Sequence, residues 1–385
     1  MSCGLEKLWF GIRNVCLCLV SSILIFLGSG AVAEAALLDG VMGGFEESMG
    51  KRAQAKGEQL IIGNFYPAER PDSHGPIGAM GEHTHNEGEF MFTYKYMRMF
   101  MEGNRDGTNN LSKSDVLRDF VITPTEMTTQ MHMFGFMYGL NETVTLTAMI
   151  PYVLKSMDHV HRNGTKFTTK SSGFGDIRLG SLVRLYAFET PSIGSHRFHL
   201  NAAVGLPTGD IKATGATPLG PNTRLPYPMQ LGSGTVDLFP GLTYGGNLDN
   251  ASWGLQAVGT IRLGDNNQGY ALGDEYEVSA YGAYRWIEWL STSLRFKWKD
   301  WANYEGRDPN ITQFVGMGPL VHTADPNHRA GERLDIFGGI NILFPEFMEL
   351  ENHLGVEVGV PIYQNLDGPQ LESDYTFFVG WQIIN

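Results

Sequence analysis

The feature that most constrains this chain is an alternation of side-chain character with a period of two, repeated from residue 89 almost to the end. In 89–101, EFMFTYKYMRMFM, an extended backbone puts Phe90, Phe92, Tyr94, Tyr96 and Phe100 on one face. Met91, Thr93, Lys95, Met97, Met99 and Met101 fall on the other. The same dyad recurs in 130–140, 144–152, 176–186 and 198–206, and again in 235–244, 253–263, 275–286 and 290–298. It returns in 333–342, 354–363 and 375–384. Segments of about ten residues with this repeat are the pattern of transmembrane β-strands, apolar toward lipid and mixed toward the lumen. The count is about twelve, an even number as in single-chain bacterial barrels. The expected fold is therefore all-β, an antiparallel up-and-down transmembrane barrel. Its aromatic face meets hydrocarbon, because Lys95 at mid-membrane would cost about 2–4 kcal/mol if it faced lipid.

The links between strands support this independently. Those at 141–142, 189–196, 245–252, 287–289 and 344–353 are short, whereas 102–124, 155–173, 207–232 and 300–332 are long. The links at 264–273 and 364–374 are intermediate and fall in the long slots. Short periplasmic turns alternating with long external loops give this order, which puts both ends of the barrel in the periplasm. Composition agrees: 18% of residues are charged, below the roughly 25% of soluble domains. A net charge of −13 argues against nucleic acid as a partner.

Residues 1–36 read as a secretory signal. Lys7 and Arg13 precede an apolar run at 15–27, and AVAEAA at 31–36 supplies small residues for cleavage. All three cysteines, Cys3, Cys16 and Cys18, lie within it, so no disulfide is expected in the exported chain. Residues 37–88 form an N-terminal segment broken by Gly and Pro, expected to fold into the lumen or against its periplasmic mouth as a plug. The barrel then occupies 89–385.

Candidate residues of the solute path are those expected to face inward: Met91, Lys95, Met97, Met99, Met131, Met133, Met137, Arg178, Arg184, Asp237, Arg262, Glu277, Arg295 and Glu357. The methionines suit adaptable packing against a plug or a hydrophobic permeant. The mixed charges suit pairing across strands. Thioethers also select Cu(I), so Met97, Met131 and Met133 with His83, His85 and His132 form a candidate metal set. No Gly-x-Ser-x-Gly stretch occurs, and neither catalytic residues nor a cofactor are expected.

Several blocks carry a family resemblance: MGEHTHNEGEFMFTYKYMRMFMEGNRDGT (80–108), GFGDIRLG (173–180), GLPTGDI (205–211) and LGSGTVDLFPGLTY (231–244). HTADPNHRAGERLDIFGGIN (322–341) and HLGVEVGVPIYQNLDGPQLE (353–372) complete the set. The chain resembles Gram-negative outer-membrane proteins named for the MetA pathway of phenol degradation, often called transporters. That resemblance implies a barrel distantly like the long-chain fatty-acid and toluene transporters. One departure is the C-terminus: Phe377, Val379, Trp381 and Ile383 keep the alternation, but the chain ends in Asn385 instead of an aromatic residue.

The functional expectation is an outer-membrane channel or transporter for a small hydrophobic or aromatic solute. A metal-homeostasis barrel using the Met/His surface and a structural barrel without transport stay open. Expected partners are outer-membrane lipid and lipopolysaccharide, the solute, and the barrel-assembly machinery during biogenesis. The sequence leaves the oligomeric state open.

Overall fold

The computed structural model describes residues 70–385 except 316–317 and 348–349, together with residues 47, 51, 61 and 62. The signal expected at 1–36 and the rest of 37–69 lie outside the described residues. Eleven strands close one ring: β1 (Phe90–Gly107), β2 (Ile122–Gly139), β3 (Val144–His161), β4 (Ile177–Thr190), β5 (Gly194–Leu206) and β6 (Val236–Leu248). They continue with β7 (Ala251–Leu263), β8 (Glu275–Ile287), β9 (Leu290–Trp301), β10 (Gly331–Phe347) and β11 (Leu350–Ile384). Every pairing around the ring is antiparallel.

An odd number of straight strands cannot close with every neighbour antiparallel. β11 resolves this by reversing direction. Its 350–366 half pairs with β10, from Phe347↔Leu350 to Gly331↔Leu366, and its 366–384 half pairs with β1, ending at Met91↔Ile384. The reversal comes at Gly368, whose φ of 74° lies where a Cβ is disfavoured. The wall thus makes twelve crossings, the number the alternation predicts.

The faces are inverted relative to a soluble protein. Phe92, Phe134, Leu255, Leu294, Val358 and Trp381 stand exposed on the outside, about half of each side chain uncovered. Lys95, Thr145, Asp237, Gln256, Arg295 and Glu357 are buried inside. Water outside would penalise this arrangement, and hydrocarbon outside with a filled lumen explains it. The links 140–143, 191–193, 249–250 and 288–289 form the tight rim. Asp249 there has φ 50°, as a primed hairpin turn requires. Trp286 and Trp289 are exposed beside this rim, where indoles anchor at the membrane–water boundary.

The long loops carry structure that the alternation does not announce. The link after β1 contains α1 (Lys113–Asp119), started by a reciprocal cap in which Ser112 and Asp115 satisfy each other's backbone N–H. Ile122, Tyr227, Tyr270, Ile311, Leu320 and Val321 pack into one apolar cluster, so residues from several loops share a core over the outer mouth. β3 meets β4 only over Val144↔Val183 to Met149↔Arg178. Farther out, from Tyr152 to Val160, β3 pairs with the loop strand Lys166–Phe174.

Candidate functional site

Residues 70–88 run inside the ring. An extended backbone in a lumen needs partners for its N–H and C=O groups, and wall side chains supply them from many directions. Ser291 on β9 donates to Pro71 O (2.9 Å), and Lys95 on β1 donates to Ala79 O (2.9 Å). Gln256 on β7 donates to Met80 O (3.0 Å), and Asn201 on β5 donates to Gly81 O (2.8 Å). His199 Nε2 meets that same carbonyl at 2.9 Å. The Thr145 hydroxyl on β3 accepts from His85 N (2.8 Å), and Arg184 on β4 donates to Thr84 Oγ1 (3.0 Å). Gly78 N donates to Glu357 on β11 (3.1 Å). Only a segment within the ring can reach this many strands.

The fit is close at two points. A Cβ at Gly78 would overlap the Arg295 guanidinium and the Glu357 carboxylate. Ile77 sits against Gly355 and Gly380 of β11, where a Cβ on either glycine would press into it at 2.7 Å.

Beside this segment lies a cavity of about 500 Å³. One side is methionine: Met91 and Met97 from β1, Met131, Met133 and Met137 from β2, Met149 from β3, and Met80 from the inner segment. Register pairs them, with Met91 opposite Met137 and Met97 opposite Met131. The other side is charged: Arg178, Glu275, Glu277, Lys297 and Lys299. These charges are matched across strands, Lys299 with Glu275 at 2.8 Å and Lys297 with Glu277 at 3.6 Å. The Arg178 guanidinium lies 3.5 Å over the Phe239 ring.

Of the residues expected to line a path, Met91, Lys95, Met97, Met131, Met133, Met137, Arg178 and Glu277 border this cavity. Arg295 and Glu357 form a two-pronged buried pair at 2.9 and 2.7 Å beneath the inner segment. Asp237 pairs with Arg262, and Arg184 holds Thr84. Met99 keeps the inward parity of Met97 but is not among the residues lining the cavity.

The expected metal set does not assemble. His132 is opposite Tyr96 on the outer face, and its Nδ1 is hydrogen-bonded with the Tyr94 hydroxyl at 2.8 Å. A strand cannot turn residue 132 to the side of 131 and 133. His83 and His85 instead share a buried cluster with His74 and Glu82. His74, Glu82, Glu89 and His353 were not singled out by the sequence, because no fixed spacing links an inner segment to the strand it threads past.

Among solved structures, the COG4313 outer membrane channel of Pseudomonas putida F1 matches with a TM-score of 0.54 at 12% identity, covering 80% of this chain and 100% of that one. This chain is an outer-membrane β-barrel. At that identity the likeness speaks for the barrel fold alone. A Pseudomonas aeruginosa FadL homologue reaches a TM-score of 0.37 at 10% identity, covering 77% of this chain and 90% of that one, too remote to carry an argument. No family model matches the sequence, and no curated protein matches it.

Proposed function

We propose that this barrel is a channel for a small hydrophobic or aromatic solute, and that the cavity beside residues 70–88 is a station on its path. The supporting observation is the methionine side of that cavity. Its volume of about 500 Å³ lies within the range of small-molecule sites. Unbranched thioethers adapt to varied shapes, and each sulfur–aromatic contact contributes about 0.3–1.5 kcal/mol. The resemblance to the MetA-pathway proteins points to the same class of solute.

The test is uptake of radiolabelled phenol and of a sugar of similar size by cells with and without the protein in their outer membrane. Phenol uptake should rise several-fold with little change for the sugar. Equal acceleration of both would make it an unselective pore, and no acceleration of either would remove the transport reading.

A further inference from the structure

We propose that the cavity selects aromatic carboxylates and that Arg178 is the residue that binds the carboxylate, a specificity that rests on the channel reading above. Among the described residues four cations line the cavity: Lys95, Arg178, Lys297 and Lys299. Three of them are engaged. Lys95 donates to Ala79 O at 2.9 Å, Lys297 faces Glu277 at 3.6 Å, and Lys299 faces Glu275 at 2.8 Å. Arg178 is half-buried, and among the described residues its guanidinium has neither a hydrogen bond nor an ion pair. Asp176 also lines the cavity, but the neighbouring loops hold both of its oxygens. Gly209 N donates to Oδ1 at 2.8 Å and Ser233 N to Oδ2 at 2.7 Å. The cavity therefore offers a solute one cation with its donors uncommitted.

The wall is shaped to hold that guanidinium in place. Its central carbon lies 3.5 Å over the Phe239 ring of β6, two strands away. A guanidinium stacked on a ring face keeps its N–H edge for a planar anion, and a carboxylate matches that edge with two parallel hydrogen bonds. Gly205 makes the stack possible. It lies opposite Arg178 on the intervening strand β5, and a Cβ there would press on the Phe239 ring at 3.0 Å. On the other side Met149 of β3 lies opposite Arg178. The apolar lining continues from there with Pro151 and with Met133, its pair on β2. Thioethers accept an aromatic ring readily. Ring-accepting and carboxylate-accepting surfaces thus meet at the Met149–Arg178 pair. A neutral phenol would use the first and leave the guanidinium donors to water, whereas an aromatic carboxylate uses both.

The test is uptake of radiolabelled benzoate, phenol and a sugar of similar size at neutral pH, where carboxylates are ionised. The cells carry the parent protein, Arg178→Met or Arg178→Lys, and circular dichroism of each purified protein confirms that the barrel is kept. The parent should carry benzoate with an apparent KM about tenfold or more below that for phenol, the scale of a hydrogen-bonded charge. Arg178→Met should raise the benzoate KM to the phenol value and leave phenol and sugar uptake unchanged. Arg178→Lys keeps the charge without the planar fork and should fall between. Phenol carried as well as benzoate by the parent would overturn the carboxylate assignment and leave the channel reading standing, a result that needs no variant to fold. So would an Arg178→Met variant that slows both aromatics in parallel. No acceleration of either aromatic by the parent would remove both readings.

Discussion

The two sides of the lumen are built by the same strand alternation and reach opposite chemistries. On β1–β3 the inward positions carry Met91, Met97, Met131, Met133, Met137 and Met149, with Lys95 the charged residue among them in the cavity lining. On β7–β9 they carry Arg262, Glu275, Glu277, Arg295, Lys297 and Lys299, each with an ionic partner. The outward positions of both sides are alike, because hydrocarbon imposes one rule on all of them. The inward positions are set by what they touch. The charged side is held in register by ion pairs, whereas the thioethers make at most a weak contact, such as Gln382 Nε2 donating to Met91 Sδ at 3.6 Å, and can repack. The comparison teaches that this lumen has a stiff half and a compliant half, with residues 70–88 anchored to both.

The largest effect that can break this comparison is at Glu357. Its carboxylate pairs with Arg295, and both side chains are 1% exposed; it also accepts from Gly78 N. Glu357→Leu leaves a buried guanidinium without its partner, at a cost of about 3–5 kcal/mol. Urea unfolding in detergent should show that loss. Replacing both partners by Met should recover most of it, since well-packed apolar substitutes often match a buried pair. A Glu357→Leu barrel as stable as the parent would deny the stiff half its stiffness. The next effect is smaller. Gly78→Ala adds a methyl where Arg295 and Glu357 leave no room, and such overpacking costs about 1–3 kcal/mol. Single-channel conductance in planar bilayers should rise as the inner segment is pushed from its seat. Conductance equal to the parent's would show that this segment does not limit the path.

How much of this comparison was legible in the sequence follows from the physics of each part. The outward face of every strand could be read because lipid enforces strict alternation, and Phe92, Leu146 and Leu255 obey it. The inward parity of Lys95, Asp237 and Glu357 followed automatically. The same rule was available for His132 and would have removed it from the metal set. What could not be read is which lumen residue meets which part of the inner segment. Parity says that Glu357 faces inward but not that Gly78 N rests on it, nor that His353 packs on His74. Those contacts depend on the height and path of a threaded segment, which no period encodes. The loop core around Tyr227 and Tyr270 was missed for the same reason, since its residues come from separate loops without a repeat. The α1 cap did carry a local signal, Ser112 followed three residues later by Asp115.

Acid should loosen the inner segment in a direction that can be stated. Burial lowers His74 and His85 beneath the ordinary imidazole value of 6.5. Undocked, they bind protons that the docked state refuses, so docking stability rises with pH and is lost progressively as pH falls below about 6.5. Glu82 acts in a lower window. Burial would raise its carboxyl, but His83 and Lys95 outweigh this and hold it at about 2. Its contribution is present above the ordinary 4.5 and is lost as pH falls from there toward 2. Protease cleavage within 70–88 should therefore increase between pH 7.5 and 5.5, and His74→Gln should flatten that increase. Cleavage independent of pH would separate the histidine cluster from docking.

The smallest effect tests the compliant half. Met133→Leu conserves volume, and such swaps usually cost less than about 1.5 kcal/mol, so urea unfolding should barely move. If the thioethers serve only as packing, phenol uptake should be as insensitive as stability. If they contact an aromatic permeant, losing one sulfur–ring contact of about 0.3–1.5 kcal/mol changes its binding by roughly twofold to tenfold. Met131→Leu and Met133→Leu together should thus lower the apparent affinity for phenol while leaving the barrel's stability and the sugar background where they were. The matching change on the stiff side, Lys297→Met, should do the reverse. It removes the partner of Glu277 and takes its toll on stability before affinity. Finding the two responses exchanged would mean that the solute tracks along the charged strands, and that the methionines merely fill the space between wall and inner segment.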